Sequence, residues 1–280
     1  MKTNAPVVRI GMVNYINVAP IYEVWKEKQH PDNWHVVEGS PSSLNQLLAR
    51  GEIDLGFVSS FAYAIHPERY QIFSGLSISA TGPVGSVFLF SRAPIEELDG
   101  QMVMLTKQSD TSIRLVKIIL EEFYQIHPSY LIGEVFGSGS QAHKATAVLA
   151  IGDDALRIKE SNIYPFNMDL GEAWNRHTGL PFVFSVCAVR RELITEEPEE
   201  ARGIQNALLN CRQEGSKRMV EICERVSARI PMECSACSRY LQAIEHDLSP
   251  VKIRALEQFF TFLIGRKEAS EKALPLQFFP

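Results

Sequence analysis

The run Pro-Phe-Val-Phe-Ser-Val-Cys-Ala-Val-Arg at residues 181–190 divides the chain into two kinds of sequence. Its β-branched and aromatic residues predict an extended segment that is buried. After this run, apolar residues recur at spacings of three and four, which predicts only helices, at residues 198–229, 235–247 and 250–264. The strands of any sheet must therefore come mainly from the sequence before residue 181.

The sequence before residue 181 alternates between strand-like and amphipathic segments. In its first part the predicted strands are residues 7–13, 35–38, 55–59 and a strand-rich stretch at 71–91, with helices at 20–27 and 42–50. The pattern restarts after residue 92 with a strand at 102–106, a helix at 111–126, a strand at 134–136, a helix around 143–148 and a strand at 150–152. Alternation of this kind predicts an α/β fold whose sheets are mainly parallel.

The restart of the pattern predicts two lobes with a ligand cleft between them. At 280 residues, of which 45% are apolar, the chain is long enough to fill two cores. We expect residues 1–92 and 186–280 to form lobe 1, and residues 93–185 to form an inserted lobe 2. The extended segments 86–92 and 182–190 would cross between the lobes as the hinge.

Charge and composition argue against several classes of partner and site. The net charge is -5 and the chain has no run of Lys and Arg, so neither nucleic acid nor an anionic membrane surface is an expected partner. The N-terminus has no signal-peptide core and no apolar stretch is long enough to span a bilayer, which predicts a cytoplasmic protein. Of the five cysteines, Cys234 and Cys237 alone have motif spacing, which predicts reduced thiols near a helix start and no metal site.

Small polar residues concentrate where predicted strands lead into helices. In open α/β sheets ligands bind beyond the carboxyl ends of the strands, where helix N-termini offer free N–H groups and the positive end of a dipole. Asn17 precedes a helix with Pro20 in its first turn, and Ser109, Thr111 and Ser112 open the helix that follows residue 106. Each is also explained as an ordinary helix cap, but three hydroxyls exceed the one that a cap needs.

Two further positions have no simple explanation as caps. Thr-Gly-Pro-Val-Gly-Ser at residues 81–86 places glycines at the mouth of a predicted crossing segment, where a backbone can approach a ligand closely. Ile-Gly-Asp-Asp at residues 151–154 ends a buried strand with two carboxylates, and Asp153 is either a site group or the N-cap of the next helix. Because the chain is negatively charged, an anionic ligand here would be held by local donors and not by a general positive field.

The same positions carry a resemblance to a known family. The strings that carry it are Val-Asn-Tyr-Ile-Asn-Val-Ala-Pro at 13–20, Gly-Glu-Ile-Asp-Leu-Gly-Phe-Val-Ser-Ser at 51–60, Gly-Ser-Val at 85–87, Ser-Asp-Thr-Ser at 109–112, Ile-Gly-Asp at 151–153, Asp-Leu-Gly-Glu-Ala-Trp at 169–174 and Thr-Gly-Leu-Pro-Phe-Val-Phe at 178–184. Together they resemble the chorismate dehydratases of the futalosine route of menaquinone biosynthesis. The sibling dihydroxynaphthoate synthases open with a Ser-Pro-Cys-Pro-Asn type motif that is absent here.

The resemblance implies the two-lobed fold of type II periplasmic binding proteins. It also implies removal of water from chorismate, to give 3-[(1-carboxyvinyl)oxy]benzoate, without a metal or organic cofactor. Catalytic roles fall to Asn17 and Ser86, and substrate contacts to Ser59, Ser60, Thr106, Ser109, Thr111, Ser112 and Asp153. Since the neutral groups in this set are not bases at pH 7, the general base is either Asp153 or one of the substrate's own carboxylates.

Two other functions stay open from the sequence. This fold captures solutes more often than it transforms them, so one alternative is a non-catalytic cytoplasmic binding protein or sensor for a small carboxylate. The other is an enzyme of the same pathway that acts on a different substrate, such as a dihydroxynaphthoate synthase. Two positions depart from the family pattern and bear on the shape of the cleft: Cys187 stands where a Trp is expected, and Thr146 where an Asp is expected.

Overall fold

The computed structural model describes residues 6–135, 142–229 and 232–280 as an α/β protein with two sheets. The strands are β1 (Val8–Val13), β2 (Trp34–Gly39), β3 (Leu55–Ser59), β4 (Tyr70–Ala80), β5 (Val87–Ser91), β6 (Met102–Thr106), β7 (Ser129–Gly133), β8 (Ala147–Ile151), β9 (Phe166–Asp169), β10 (Phe182–Arg190) and β11 (Phe278–Phe279). The α-helices are α1 (Ala19–Glu27), α2 (Pro41–Arg50), α3 (Ser60–Ile65), α4 (Asp110–Ile118), α5 (Gly152–Ser161), α6 (Leu170–Thr178), α7 (Arg191–Glu196), α8 (Pro198–Gly215), α9 (Met219–Val226), α10 (Cys234–Ala243) and α11 (Pro250–Gly265). In these ranges no helix combines the length and apolar character needed to cross a membrane.

The first sheet has the strand order β11-β4-β10-β3-β1-β2. β1 pairs in parallel with β2 and β3, as expected for strands that are joined by helices. β10 pairs antiparallel with β3 and β4, because the chain enters this strand as it returns from the other sheet. Every residue of β3 is buried, as is typical of a strand that is covered on both faces.

The second sheet repeats this plan with the order β7-β6-β8-β5-β9. β6 pairs in parallel with β7 and β8, and β5 pairs antiparallel with β8 and β9. The expectation of mainly parallel sheets therefore holds for the strand–helix–strand units. It fails for β5 and β10, which follow the two passages between the sheets.

The chain passes between the sheets at residues 81–86 and at residues 170–181, which include α6. β5 pairs within the second sheet and β10 within the first, so the expectation that these two strands cross between the lobes was wrong. An apolar sequence predicts a buried, extended strand in either sheet. It does not show which neighbouring strand that strand pairs with. The division of the lobes at residues 92 and 186 stays a prediction.

Three elements predicted in the part of the chain that forms the second sheet, one strand and two helices, differ from the structure. β7 ends at Gly133, ahead of the strand predicted at 134–136, and Phe136 lies outside the described residues. The helix predicted around 143–148 is wrong, because Ala142–Lys144 form a short 3-10 turn and β8 begins at Ala147. The apolar run Ala-Val-Leu-Ala-Ile of β8 is buried throughout, between β5 and β6. The helix predicted at 111–126 is α4 followed by a π-helical turn, Ile119–Phe123.

The C-terminal part is helical over most of its length, with α8 to α11 close to their predicted positions. α10 begins at Cys234, so this cysteine and Cys237 lie at a helix start as expected. One strand was missed: β11 adds to the edge of the first sheet, parallel to β4. The expectation that only helices follow residue 190 was therefore wrong at residues 278–279.

An aromatic cluster fixes the second passage between the sheets. Trp174 of α6 packs edge-on against Phe182 of β10, with ring centroids 5.2 Å apart. Phe182 in turn meets Phe259 of α11 at 5.0 Å. Large buried aromatic rings contribute strongly to core stability, so this cluster holds the passage against the first sheet and α11.

Candidate functional site

A cleft lies between the two sheets, where the carboxyl ends of their strands face each other. The cleft is narrow, with about 40 Å³ open to the centre of a water-sized molecule. Its polar lining consists of Tyr15, Asn17, Ser59, Ser86, Ser109, Ser112 and Ser185. The rest is apolar apart from the Gly152 backbone, and none of the described lining residues carries a charge.

Asn17 lies in a 3-10 turn, Ile16–Val18, that connects β1 to α1. The expectation that it could cap α1 was wrong, because Val18 holds the N-cap position and no side-chain cap bond forms there. The side-chain Oδ1 of Asn17 is buried and has no hydrogen-bond partner among the described residues. A buried unpaired polar atom costs about 1–3 kcal/mol, so its place in the cleft points to a ligand.

His246 supports the backbone of Asn17 from behind the cleft. Its Nε2 lies 2.7 Å from the carbonyl oxygen of Asn17. A carbonyl oxygen can only accept, so this ring nitrogen carries the proton. Burial lowers the pKa of His246 to about 4, which keeps the ring neutral at pH 7. The turn that carries Asn17 is therefore anchored to the segment after α10.

Ser86 ends the first passage between the sheets and is 2% exposed. Its hydroxyl accepts a hydrogen bond from the hydroxyl of Tyr240 at 2.9 Å. Its carbonyl accepts from the amide of Gly152 at 2.7 Å, which ties the passage to the start of α5. Both the side chain and the backbone of Ser86 are thus held in place.

Asp169 fixes the turn that precedes Ser86. Its carboxylate accepts hydrogen bonds from the amides of Val84 at 3.0 Å and Gly85 at 2.7 Å. It also caps α6 by accepting from two amides of that helix, at 2.9 and 3.1 Å. Gly85 has φ +76°, a conformation that favours glycine, so the turn depends on this residue type.

Ser59 and Ser60 are adjacent but face different surroundings. Ser59 lines the cleft and caps α3, accepting from the amide of Ala62 at 3.1 Å and from the Asn45 side chain at 2.9 Å. Ser60 donates its hydroxyl proton to the carbonyl of Val183 at 2.7 Å. The structure therefore brings Ser59 to the cleft and turns Ser60 toward β10.

The start of α4 presents two of its three hydroxyls to the cleft. Ser109 caps the helix by accepting from the amide of Ser112 at 3.2 Å, and it donates to the Ser112 hydroxyl at 3.0 Å. Thr111 is fully buried, and its oxygen accepts from the amide of Phe61 in α3 at 3.0 Å. Thr111 is not among the lining residues, whereas Ser109 and Ser112 are.

Thr106 and Asp153 lie beside the cleft and not in its lining. The hydroxyl of Thr106 accepts from the amide of Gln108 at 3.2 Å. Asp153 is the second residue of α5, whose N-cap position is Ile151, so its predicted alternative as an N-cap was wrong. Its Oδ1 is buried without a hydrogen-bond partner in the described ranges, and burial raises its pKa. Asp153 is therefore a carboxylate that lies close to the site and whose Oδ1 has no hydrogen-bond partner in the described structure.

Hydrogen bonds cross from one side of the cleft to the other. Tyr15 donates to Gln108 Oε1 at 2.7 Å, and Gln108 Nε2 donates to Asp154 at 3.0 Å. Asn45 of α2 donates to Asp110 of α4 at 2.9 Å. The Tyr15–Gln108 and Asn45–Asp110 bonds join segments that follow strands of different sheets, so the structure is a closed arrangement.

The site offers neutral hydrogen-bonding groups. No three His, Cys, Asp or Glu side chains come together to hold a metal ion within residues 6–135, 142–229 and 232–280. The cleft-lining groups are hydroxyls, one amide and the N-terminus of α4. Such groups bind carboxylates through hydrogen bonds and the helix dipole.

Tyr240 and His246 are site-supporting residues that the sequence reasoning missed. They contact Ser86 and Asn17 from positions 154 and 229 residues away. The periodicity of residues 235–247 predicts a helix but says nothing about which loop it contacts. Tyr15, by contrast, lies inside the motif string at 13–20, so that string could have identified it.

Comparison with known proteins assigns the chain to a family. A sequence profile described as menaquinone biosynthesis matches residues 8–264. The chain belongs to the menaquinone-biosynthesis family. The match includes all the polar residues of the cleft and the two residues behind it, Tyr240 and His246.

One curated relative aligns with this chain over most of its length. The chorismate dehydratase of Thermus thermophilus is 30% identical over 265 residues, which cover 89% of this chain and 93% of that protein. The two proteins are therefore similar along nearly the whole of both chains.

Solved structures show how widely the fold of this family member occurs. The periplasmic aliphatic sulphonate-binding protein of Escherichia coli is 14% identical, with a TM-score of 0.65 and coverage of 96% of this chain and 95% of that one. A Candida albicans protein with the generic periplasmic binding protein fold is 9% identical, with a TM-score of 0.70 and coverage of 96% and 93%. At these identities the likeness concerns the fold alone, and it confirms the predicted periplasmic-binding-protein-like fold.

The two departures from the family pattern lie away from the cleft lining. Cys187 is fully buried in β10, where it pairs with Phe57 of β3, and burial raises its pKa. The hydroxyl of Thr146 donates to Gln101 at 3.2 Å. Neither side chain is among the residues that shape the cleft directly.

Proposed function

We propose that this chain dehydrates chorismate to 3-[(1-carboxyvinyl)oxy]benzoate. The observation that carries the proposal is the buried, unpartnered Oδ1 of Asn17 in a cleft of neutral hydroxyls. The chain belongs to the menaquinone-biosynthesis family, and its 30% identical relative from Thermus thermophilus is named for this reaction.

The reaction removes the proton from ring carbon C3 of chorismate and the hydroxyl from C4. The electrons of the C3–H bond form a double bond between C3 and C4, and the released proton and hydroxide make water. Because the product ring is aromatic, the step is strongly downhill once it has begun. The protein must therefore position the substrate and ease removal of the proton, and positioning alone supplies several kcal/mol.

Asn17 and Ser86 orient the reacting face and the leaving hydroxyl in this proposal. The free Oδ1 of Asn17 accepts a hydrogen bond from the substrate. Ser109 and Ser112 hold a substrate carboxylate at the N-terminus of α4, where the helix dipole favours a negative charge. Ser59 completes the polar contacts on the side of the first sheet.

The base that takes the C3 proton has two candidates. We favour one of the substrate's own carboxylates, because the described lining of the cleft holds no carboxylate or imidazole. Asp153 is the second candidate, because its buried oxygen has no partner in the described structure and burial raises its pKa toward the range useful for a base.

The test is incubation of the purified protein with chorismate, followed by absorbance and mass spectrometry. The expected product is aromatic and lighter than chorismate by one water. Chorismate without protein and with the Asn17→Ala variant are the controls. Tight binding of chorismate without any aromatic product would instead support the non-catalytic binding protein, and turnover of the substrate of dihydroxynaphthoate synthase alone would support the sibling activity.

A small anionic metabolite is thus the proposed ligand. We expect the protein to act in the cytoplasm. We also expect it to have no nucleic-acid or membrane partner and to need no metal or organic cofactor. These expectations stay predictions from the sequence. Activity of the purified protein without added metal or cofactor would be the first check on the expectation that none is needed.

A further inference from the structure

Tyr240 contacts Ser86 in a way that the proposed roles do not yet use. It lies on α10, is 7% exposed, and donates its hydroxyl proton to Ser86 Oγ at 2.9 Å. Burial raises the pKa of its phenol, so the proton stays in place at neutral pH. Its ring packs against Gly85, where an added Cβ would lie 3.3 Å from the ring. Packing therefore fixes the position from which Tyr240 donates.

The segment after α10 contacts the other end of the first passage between the sheets, residues 81–86. Glu245 pairs with Ser79 through backbone hydrogen bonds of 2.9 and 2.8 Å. The side chain of Glu245 accepts from the amide of Thr81 at 3.1 Å. Residues 240–245 thus contact the passage near both of its ends, which keeps Tyr240 in register with Ser86.

This contact decides what Ser86 can offer a ligand. A serine hydroxyl has one proton and two lone pairs, and Tyr240 occupies one of the lone pairs. Within the described part of the chain, Ser86 Oγ donates no hydrogen bond of its own. We propose that Tyr240 is a positioning residue that turns Ser86 into a dedicated donor toward an oxygen atom of the substrate.

This inference rests on the proposed dehydration and deepens it. A directed proton on Ser86 stabilises an oxygen that gains negative charge as the C4–O bond breaks. A serine that can rotate freely would also accept from the intact substrate hydroxyl, which stabilises the ground state instead. Loss of the Tyr240 hydroxyl should therefore lower kcat and leave KM unchanged or lower it as well.

A double-mutant cycle with Tyr240→Phe and Ser86→Ala tests this role. Tyr240→Phe keeps the ring and is expected to lower kcat about tenfold, equivalent to about 1.4 kcal/mol of transition-state stabilisation. The double variant should be as slow as Ser86→Ala alone, because Tyr240 acts only through Ser86. Tyr63→Phe is the control, since this fully buried tyrosine accepts from the amide of Gln277 at 3.0 Å outside the cleft.

Melting curves give a second readout that does not depend on turnover. Ser86→Ala leaves the buried Tyr240 hydroxyl without a partner and should melt earlier than the wild type. Adding Tyr240→Phe removes the stranded donor, so the double variant should melt later than Ser86→Ala. A structural role of Tyr240 that is independent of Ser86 predicts additive losses instead.

The outcomes separate this inference from the proposed function. Wild-type turnover of chorismate with additive losses in the double variant, or with unchanged kcat in Tyr240→Phe, would overturn the inference alone. No turnover by the wild type would overturn the proposed function and this role with it. Loss of kcat in Tyr63→Phe as large as in Tyr240→Phe would also count against a specific role of Tyr240.

Discussion

Substitution of Asn17 by alanine separates a role in the reaction from a role in the fold. The side chain is half-buried, caps no helix, and leaves Oδ1 unpartnered among the described residues. Its removal therefore breaks no recorded side-chain hydrogen bond and relieves an unpaired buried oxygen, so we expect the free energy of unfolding to stay the same or to rise by about 1–3 kcal/mol. A helix cap in this position would instead be worth about 1 kcal/mol.

Turnover should respond in the opposite way. Removal of a positioned polar group at a reacting centre lowers kcat/KM by roughly 10²-fold or more, or about 2.7 kcal/mol. The assay is formation of the aromatic product from chorismate, followed by absorbance, beside a thermal melt of the same sample. The matched control is Asn175→Ala on α6, because this half-buried amide donates to the carbonyl of Leu180 at 3.0 Å away from the cleft lining.

The two variants should therefore show opposite patterns. Asn175→Ala is expected to melt earlier and to retain turnover, whereas Asn17→Ala is expected to keep or raise its melting temperature and lose turnover. Early melting of Asn17→Ala with normal turnover would refute the reasoning and return Asn17 to a structural role.

Three further substitutions test neighbouring groups. Asp153→Asn should lower kcat less than about tenfold if the substrate's carboxylate is the base, and a fall of 10² or more in a chorismate assay would make Asp153 the base. Thr111→Val should lower the free energy of unfolding by about 1–3 kcal/mol in a urea titration, because it strands the amide of Phe61, and unchanged stability with lost turnover would contradict this. His246 has a pKa of about 4 in the folded state, below its ordinary value of 6.5. At pH values between these two, the His246 ring is therefore protonated only in the unfolded state. Stability should therefore fall as pH drops from 6.5 toward 4, by up to about 3 kcal/mol, and the fall should be smaller in His246→Gln.

The strand-to-helix junctions were predictable as the place where polar groups meet. Ser59, Ser109 and Ser112 stand at carboxyl ends of strands, and these ends face one another in a two-sheet α/β fold. The pairing of β5 and β10 was not predictable, because an apolar strand fits equally well in either sheet. Only the full set of pairing partners decides which sheet each strand joins.

The direction of the side chains at the start of α4 follows from helix geometry. Residues three apart share a face, so Ser109 and Ser112 point the same way, while Thr111 points elsewhere. The structure has this arrangement, with Thr111 against Phe61 of α3. The helical spacing could have predicted that Thr111 does not face the cleft with Ser109 and Ser112. The motif as a whole made all three residues candidates for substrate contact.

The C-terminal segment shapes the site although it contributes little to its surface. Its contribution to the lining is Ile244, while Tyr240 holds Ser86 and His246 holds Asn17. The resemblance of the motif strings is concentrated before residue 187, where the groups that face the cleft lie. Correct placement of those groups depends on residues far away in sequence, because a small hydroxyl or amide has no packing of its own to fix it. A fragment that ended after β10 would keep the motifs but lose the two contacts that orient them.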